Sequence, residues 1–156
     1  MSGVDVLAWE PLFVMKLNVA YAHAQPIGGQ DRLGIYPVHG GTFEGARLRG
    51  TVQPDGADWV TWRADGTMII DVRTSLLTDD GARIAMHYQG LAAPTSEEAA
   101  ERFRRREPGT YDDMYIHTTP RFVTDHPDYE WLNRVIAVTN GMRTPEGPMY
   151  HVFAIK

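Results

Sequence analysis

DWVTWRADGTMIIDVRTSLLTDDGARIAMHYQ, residues 58–89, is the stretch whose reading decides the fold. Apolar and polar residues alternate through it, and two Asp-Gly pairs, Asp65-Gly66 and Asp80-Gly81, interrupt it. Alternation with period two is the mark of half-buried strands, and Asp-Gly between such runs marks a hairpin. The stretch therefore predicts three antiparallel strands joined by two tight turns.

Two-residue turns at both sites place Asp58 opposite Arg73, Val60 opposite Asp71, Trp62 opposite Ile69, Arg73 opposite Tyr88 and Ser75 opposite Met86. One face then carries Val60, Trp62, Ile69, Leu77, Ile84 and Met86 around Asp58, Asp71, Arg73 and Tyr88. Apolar walls with a few convergent polar groups are the make-up of a small-molecule pocket. Two carboxylates beside one guanidinium also suit acid–base chemistry. Arg73 would hold one carboxylate ionised, and the other, desolvated near a like charge, would titrate high. The competing arrangement makes Asp58–Arg73 a solvent-face ion pair, with Met68, Ile70, Val72 and Leu76 turned inward. Arg63, Arg83, His87 and Gln89, on the face opposite the proposed pocket, argue against it. A three-residue turn at either hairpin would shift the register and carry part of the face to the other side.

The rest of the chain follows the same pattern. β-rich runs at 11–19, 47–52, 58–63, 67–77, 82–89, 114–123, 134–139 and 149–155 alternate with turn signals, among them Asn140-Gly141 and Pro145-Glu146-Gly147-Pro148. Many short strands at hairpin spacing predict an all-β, mainly antiparallel sandwich or barrel. One helix is expected from Thr95, which can cap Glu98, to about Arg106, ahead of Pro108. A second, short helix is expected at 128–133. The arginines at 102, 104, 105 and 106 are offset by Glu97, Glu98, Glu101 and Glu107, and cations suit a helix C-terminus. The chain is read as one domain, residues 1–156.

Composition excludes several chemistries. There is no Cys, hence no disulfide framework, thiolate nucleophile or cysteine-ligated metal. Fifteen basic against twenty acidic residues give a net charge of −5, a poor match to nucleic acid. The three serines lie in no hydrolase motif, and Lys16 is the one lysine not at the C-terminus. No apolar run is long enough to cross a membrane as a helix, and residues 1–10 lack the pattern of a signal peptide, so a cytoplasmic location is expected. Six histidines, at 23, 39, 87, 117, 126 and 151, show no metal-ligand spacing, so no metal is assigned. His23 and His126 fall in loop-like contexts. The glycine-rich run Gly40-Gly41-Thr42-Phe43-Glu44-Gly45 lacks the Lys-Ser/Thr of a phosphate loop. It reads as a tight turn or bulge entering a strand, with Glu44 able to face a pocket.

That run, with Leu48-Arg49-Gly50, Gly56-Ala57-Asp58-Trp59, Asp71-Val72-Arg73, Thr78-Asp79-Asp80-Gly81, Pro120-Arg121-Phe122, Tyr129, Trp131-Leu132-Asn133 and Gly141, resembles domain-of-unknown-function family 3237. These are small single-domain proteins of bacteria and fungi. The resemblance spans residues 12–152. It implies a closed antiparallel β-barrel with a central cavity, and little about activity. Two positions depart from the family pattern: His39, where a small or hydroxylic residue is usual, and His117, where Arg is common. Both departures suggest imidazoles added near the cavity.

The expected function is a cofactor-independent enzyme using acid–base chemistry in a barrel cavity. Isomerisation, cyclisation or elimination of a small, largely apolar, aromatic or carbonyl-containing metabolite suits it. Asp71 is the expected base, Arg73 and Tyr88 the oxyanion partners, and Asp58 the residue orienting Arg73. Trp62, Met86, Glu44, His39, His117 and Asn133 complete the ligand-binding set. No cofactor, nucleic acid or membrane partner is expected. A homodimer is compatible with the sequence. The alternative is a non-catalytic carrier or sensor barrel, with a purely structural role third and an Asp-activated-water hydrolase also open.

Overall fold

The structure is a computed structural model that describes residues 5–19, 25–27 and 32–156. Its strands are β1 (Trp9–Val19), β2 (Gln25–Ile27), β3 (Leu33–Glu44), β4 (Arg49–Val52), β5 (Gly56–Trp62), β6 (Met68–Thr78), β7 (Arg83–Pro94), β8 (Met114–Val123), β9 (Ala137–Thr144) and β10 (Gly147–Ile155). Among the described residues one helix, α1 (Glu97–Arg104), and one 3-10 turn, Glu130–Arg134, interrupt them. All the pairings are antiparallel, in the order β8-β7-β6-β4-β3-β1-β10-β9. β2 pairs with β3, and β5 pairs with both β3 and β6. β4 and β5 are two halves of one broken strand. The first pairs the far half of β3 (Gly41–Glu44), the second its near half (Leu33–Val38). The terminal strands β8 and β9 meet through side chains. Thr118 N–H donates to Thr139 Oγ1 (3.0 Å), and His117 Nδ1 lies 2.9 Å from the Thr139 carbonyl.

Both hairpins of residues 58–89 use three-residue loops. Arg63 N–H donates to the Thr67 carbonyl (2.9 Å) and Gly66 N–H to the Arg63 carbonyl (3.0 Å), with Gly66 at φ +86°. The second repeats the geometry: Thr78 N–H to Ala82 O (2.9 Å), Gly81 N–H to Thr78 O (3.0 Å), and Gly81 at φ +94°. This is a turn closed by a left-handed glycine, the second commonest hairpin solution for an Asp-Gly pair. Local side chains favour the extra residue. Thr67 N–H donates to Asp65 Oδ1 (2.9 Å), and Ala82 N–H donates to Thr78 Oγ1 (2.8 Å).

The added residue changes the register, which pairs Asp58 with Val72, Trp62 with Met68 and Val72 with Tyr88. Even-numbered side chains therefore point inward together: Met68, Ile70, Val72, Thr74, Leu76 and Thr78 are buried along β6. The face expected from two-residue turns is split. Asp58, Val60, Trp62, Ile84, Met86 and Tyr88 face in; Ile69, Asp71, Arg73, Ser75 and Leu77 face out.

Other local readings also shift. Gly40-Gly41 is a bulge inside β3: Asn18 pairs with Gly40 and Val19 with Val38, so His39 is extruded and exposed. Gly41 sits at φ +148°, and a Cβ there would lie 2.1 Å from the Lys16 carbonyl oxygen, so only glycine lets β1 and β3 approach. Asn140-Gly141 is no turn; Gly141 pairs with Tyr150 within the β9–β10 ladder. Helix α1 is capped by Ser96, whose Oγ accepts from Ala99 N–H (3.0 Å), one residue beyond the expected cap.

The interior has two ends. One is filled by packed side chains. Phe13 meets Phe43 and Phe122 edge-on at 5.5 and 6.0 Å, beside Leu76, Ile84, Met86 and Leu132. The other end, under α1, is hollow.

Candidate functional site

The hollow end is a cavity of about 240 Å³. Its walls are Val60 and Trp62 from β5, Met68 and Ile70 from β6, Ile116 from β8 and Tyr150 from β10. Tyr36 and Asp58 add the polar atoms within, and Phe103, Arg104, Arg106 and Arg143 line its α1 side. Two strand glycines clear space for the aromatic walls. A Cβ at Gly34 would lie 2.6 Å from the Tyr36 ring and 3.0 Å from that of Trp62. One at Gly141 would lie 2.6 Å from Ile116 and 2.9 Å from Tyr150.

Tyr36 and Asp58 are direct cross-strand partners on β3 and β5. The β5–β6 ladder is interrupted between Asp58–Val72 and Thr61–Ile69, and there Asp71 N–H donates to Asp58 Oδ1 (3.2 Å). That bond aims the carboxyl. Burial pushes Asp58 up to about 7; the Asp71 N–H opposes the shift and the Asp71 charge adds to it. The Tyr36 phenol is also raised, first by burial and then by Asp58, against the opposing pull of Arg106 and Arg143. A carboxyl titrating near neutrality can take and return a proton at physiological pH.

The structure separates the expected site residues. Asp58 and Trp62 line the cavity. Tyr88 faces inward but is fully buried, its ring edge-on to Tyr150 at 5.4 Å; it is Tyr150 that lines the cavity. Met86 is in the packed core. Asp71 and Arg73 line an outer hollow of about 540 Å³ with Asp55 and Trp59, and Asp71 Oδ1 lies 2.9 Å from His87 Nε2. Arg73 is not between two carboxylates of an inner site, because the three-residue turns rotate it outward. His39 and Glu44 are exposed along β3. His117 points outward at the β8–β9 meeting, its ring 4.4 Å from that of Tyr115. Asn133 staples a loop: its Nδ2 donates to the Thr124 carbonyl and its Oδ1 accepts from Thr124 N–H, both at 2.8 Å. His23 lies outside the described residues. Among the described residues no three His, Asp or Glu side chains converge as a metal site would need, and no helix is long and apolar enough to cross a membrane.

Tyr36, Tyr150, Arg106 and Arg143 were not legible as site residues. Tyr36 lies in a segment whose glycines masked its alternation, and the two arginines reach the mouth only through the packing of α1 and β9.

These features define a class: a mainly antiparallel all-β protein with an apolar cavity at one end of its sheet and a half-buried carboxyl, Asp58, in the cavity wall. The model of the family described as "Protein of unknown function (DUF3237)" matches residues 7–155. The chain belongs to this family. A UPF0311 protein of Rhodopseudomonas palustris is 33% identical over 110 residues, covering 70% of this chain and 71% of that protein. Another, from Bradyrhizobium diazoefficiens, is 34% identical over 109 residues, 70% of each. Among solved structures, a protein described as β-barrel-like from Acinetobacter baumannii matches with a TM-score of 0.84 and 31% identity over the whole of both chains. A structure described as an enzyme from Penicillium herquei shares the fold, with a TM-score of 0.70 and 23% identity over 96% of this chain and 95% of its own.

Proposed function

We propose that the chain is an acid–base enzyme for a small, largely apolar metabolite, with Asp58 as the proton-transfer group. The sheet is read as a barrel whose seam is the β8–β9 contact, serving as a container for one small ligand. The single observation that carries the reading is the Asp58 carboxyl, set in the wall of an apolar cavity and raised to about 7. Buried titratable groups in clefts are where functional chemistry concentrates. The same fold carries an enzyme in P. herquei.

Ionised Asp58 takes a proton from a carbon beside a carbonyl, or from a phenol. The electron pair left behind delocalises onto the substrate oxygen, where the Tyr36 hydroxyl donates a hydrogen bond. Return of the proton to a different atom completes an isomerisation. In a ring closure the phenolate oxygen bonds to an electron-poor carbon of a C=C in the same molecule, and the carbon that receives the π pair takes the proton back from Asp58. In an elimination the pair forms a new C=C as the leaving group departs with its bonding pair and the Asp58 proton. The reaction consumes no electrons and needs no nucleophile from the protein. The apolar walls also favour a second reading, a carrier that binds the same ligand unaltered.

Proton exchange separates the two. In D₂O, the hydrogens beside the carbonyl of a small aromatic ketone such as 2-tetralone are followed by NMR. Accelerated exchange with the natural protein and its loss in Asp58→Asn support the enzyme. Binding without acceleration supports the carrier and removes the catalytic assignment.

A further inference from the structure

Three arginines line the cavity, Arg104, Arg106 and Arg143; Arg104 is paired with Glu101, and the other two play no part in the proton transfer. Arg143, on β9, is half-buried; its guanidinium stacks on the Phe103 ring at 4.5 Å and donates to the Phe103 carbonyl at 3.3 Å. It is held in place from below. Arg106 is held by the end of α1. Arg106 N–H donates to Phe103 O and Glu107 N–H to Arg102 O, both at 3.0 Å. These are the two bonds of a Schellman motif, and they put Arg106 at the left-handed position that glycine usually fills. It is the one non-glycine residue with positive φ, +58°, among those described.

A side chain kept where glycine is easier is a pointer to use. Helix-end charge does not explain it, because Arg102, Arg104 and Arg105 already supply that. Those three pair with Asp113, Glu101 and Glu107 respectively. Arg106 forms no ion pair among the described residues and lines the cavity mouth instead. Arg143 lines the same cavity, and the charges of both arginines act on the Tyr36 phenol within it.

The geometry points to an anion-binding subsite formed by Arg106 and Arg143, so that the ligand is a small organic anion with a carboxylate head at the mouth and an apolar ring system within. This rests on the reading of the cavity as the ligand site. Arginine suits such a subsite, because it stays charged, its planar fork matches a carboxylate, and it is weakly hydrated. With the head at the mouth, the ring body reaches inward along Val60, Met68 and Ile70 toward Asp58. A volume of about 240 Å³ is below the usual range for drug-sized sites, about 300–1,000 Å³, and limits the body to one or two rings.

Isothermal titration with 2-naphthoate and its neutral isostere 2-naphthamide tests this. The natural protein should prefer the anion by about tenfold or more, the scale of charge-assisted hydrogen bonds. Arg106→Gly suits the left-handed backbone, so it removes the guanidinium without straining the turn. In Arg106→Gly and in Arg143→Met the preference should fall, and in the double variant vanish, with naphthamide affinity unchanged. Arg121→Met, on the outer face of β8, should alter neither. Equal binding of both probes, or a preference that survives the double variant, overturns the subsite and leaves the cavity reading standing. Failure of both probes to bind the natural protein overturns both.

Discussion

Replacing Asp58 by Asn keeps the size of the side chain, and keeps an oxygen for the Asp71 N–H, while removing the titration. The consequence for stability has a definite sign. In the unfolded chain the carboxyl titrates near its ordinary value of about 3.9, and in the folded protein at about 7. Between those values the native state holds a proton that the unfolded state has released, so stability falls as pH rises through the window and levels off above it. From pH 5 to pH 8 the expected loss attributable to this group is about 2.5 kcal/mol. Urea unfolding of both proteins at the two pH values measures it. With a slope of about 2 kcal/mol per molar urea, the natural protein's midpoint should drop by about 1 M more than that of the variant. Other titrating groups act alike in both proteins and cancel in the difference. At pH 8 the Asn variant should be the more stable of the two, having no buried charge to sustain. Equal pH dependence in the two proteins would falsify the placement of a desolvated carboxyl at this position, and the proton-transfer role with it.

Asp71→Asn should leave ligand affinity and 2-tetralone exchange within about twofold of the natural protein, because the side chain lies on the outer face beside His87; a tenfold loss would mean that Asp71 acts through Asp58. Asn133→Ala should cost about 1–3 kcal/mol by breaking both hydrogen bonds to Thr124, seen as a lower melting temperature with unchanged titration of 2-naphthoate. Gly41→Ala forces a Cβ into the Lys16 carbonyl at a left-handed backbone. It should cost about 3 kcal/mol, and thermal unfolding indistinguishable from that of the natural protein would show that β1 and β3 are not packed this closely.

Much of the architecture follows from residues close together in the chain. Alternation and turn residues locate β8 at Met114–Val123 to the residue. They also mark the β9–β10 turn at Pro145-Glu146, though β9 runs on to Thr144 through the expected Asn140-Gly141 turn, and they place α1 to within one residue of its cap. The cavity residues are less local. Asp58 and Trp62 were identifiable as candidates, but the partners assigned to them were not the right ones. The reason is a single residue in each of two turns. A two-residue and a three-residue loop are equally compatible with Ala-Asp-Gly and Asp-Asp-Gly, yet they send Asp71 and Arg73 to opposite faces.

What the sequence determines by itself is therefore most of the strands, though not β2 or β3 (Leu33–Glu44), which no expected run covered, together with the absence of cysteine chemistry and the family resemblance borne by its glycine and aromatic motifs. Propensity, period and turn composition act within a few residues, so they are written locally. Tertiary structure alone decides which face is inside, where the packed core stops and the hollow begins, and which polar groups meet. Burial where β3, β5 and β6 meet pushes Asp58 up to about 7, and Arg106 and Arg143, 37 positions apart in the numbering, line the same cavity only when α1 packs over the end of the sheet.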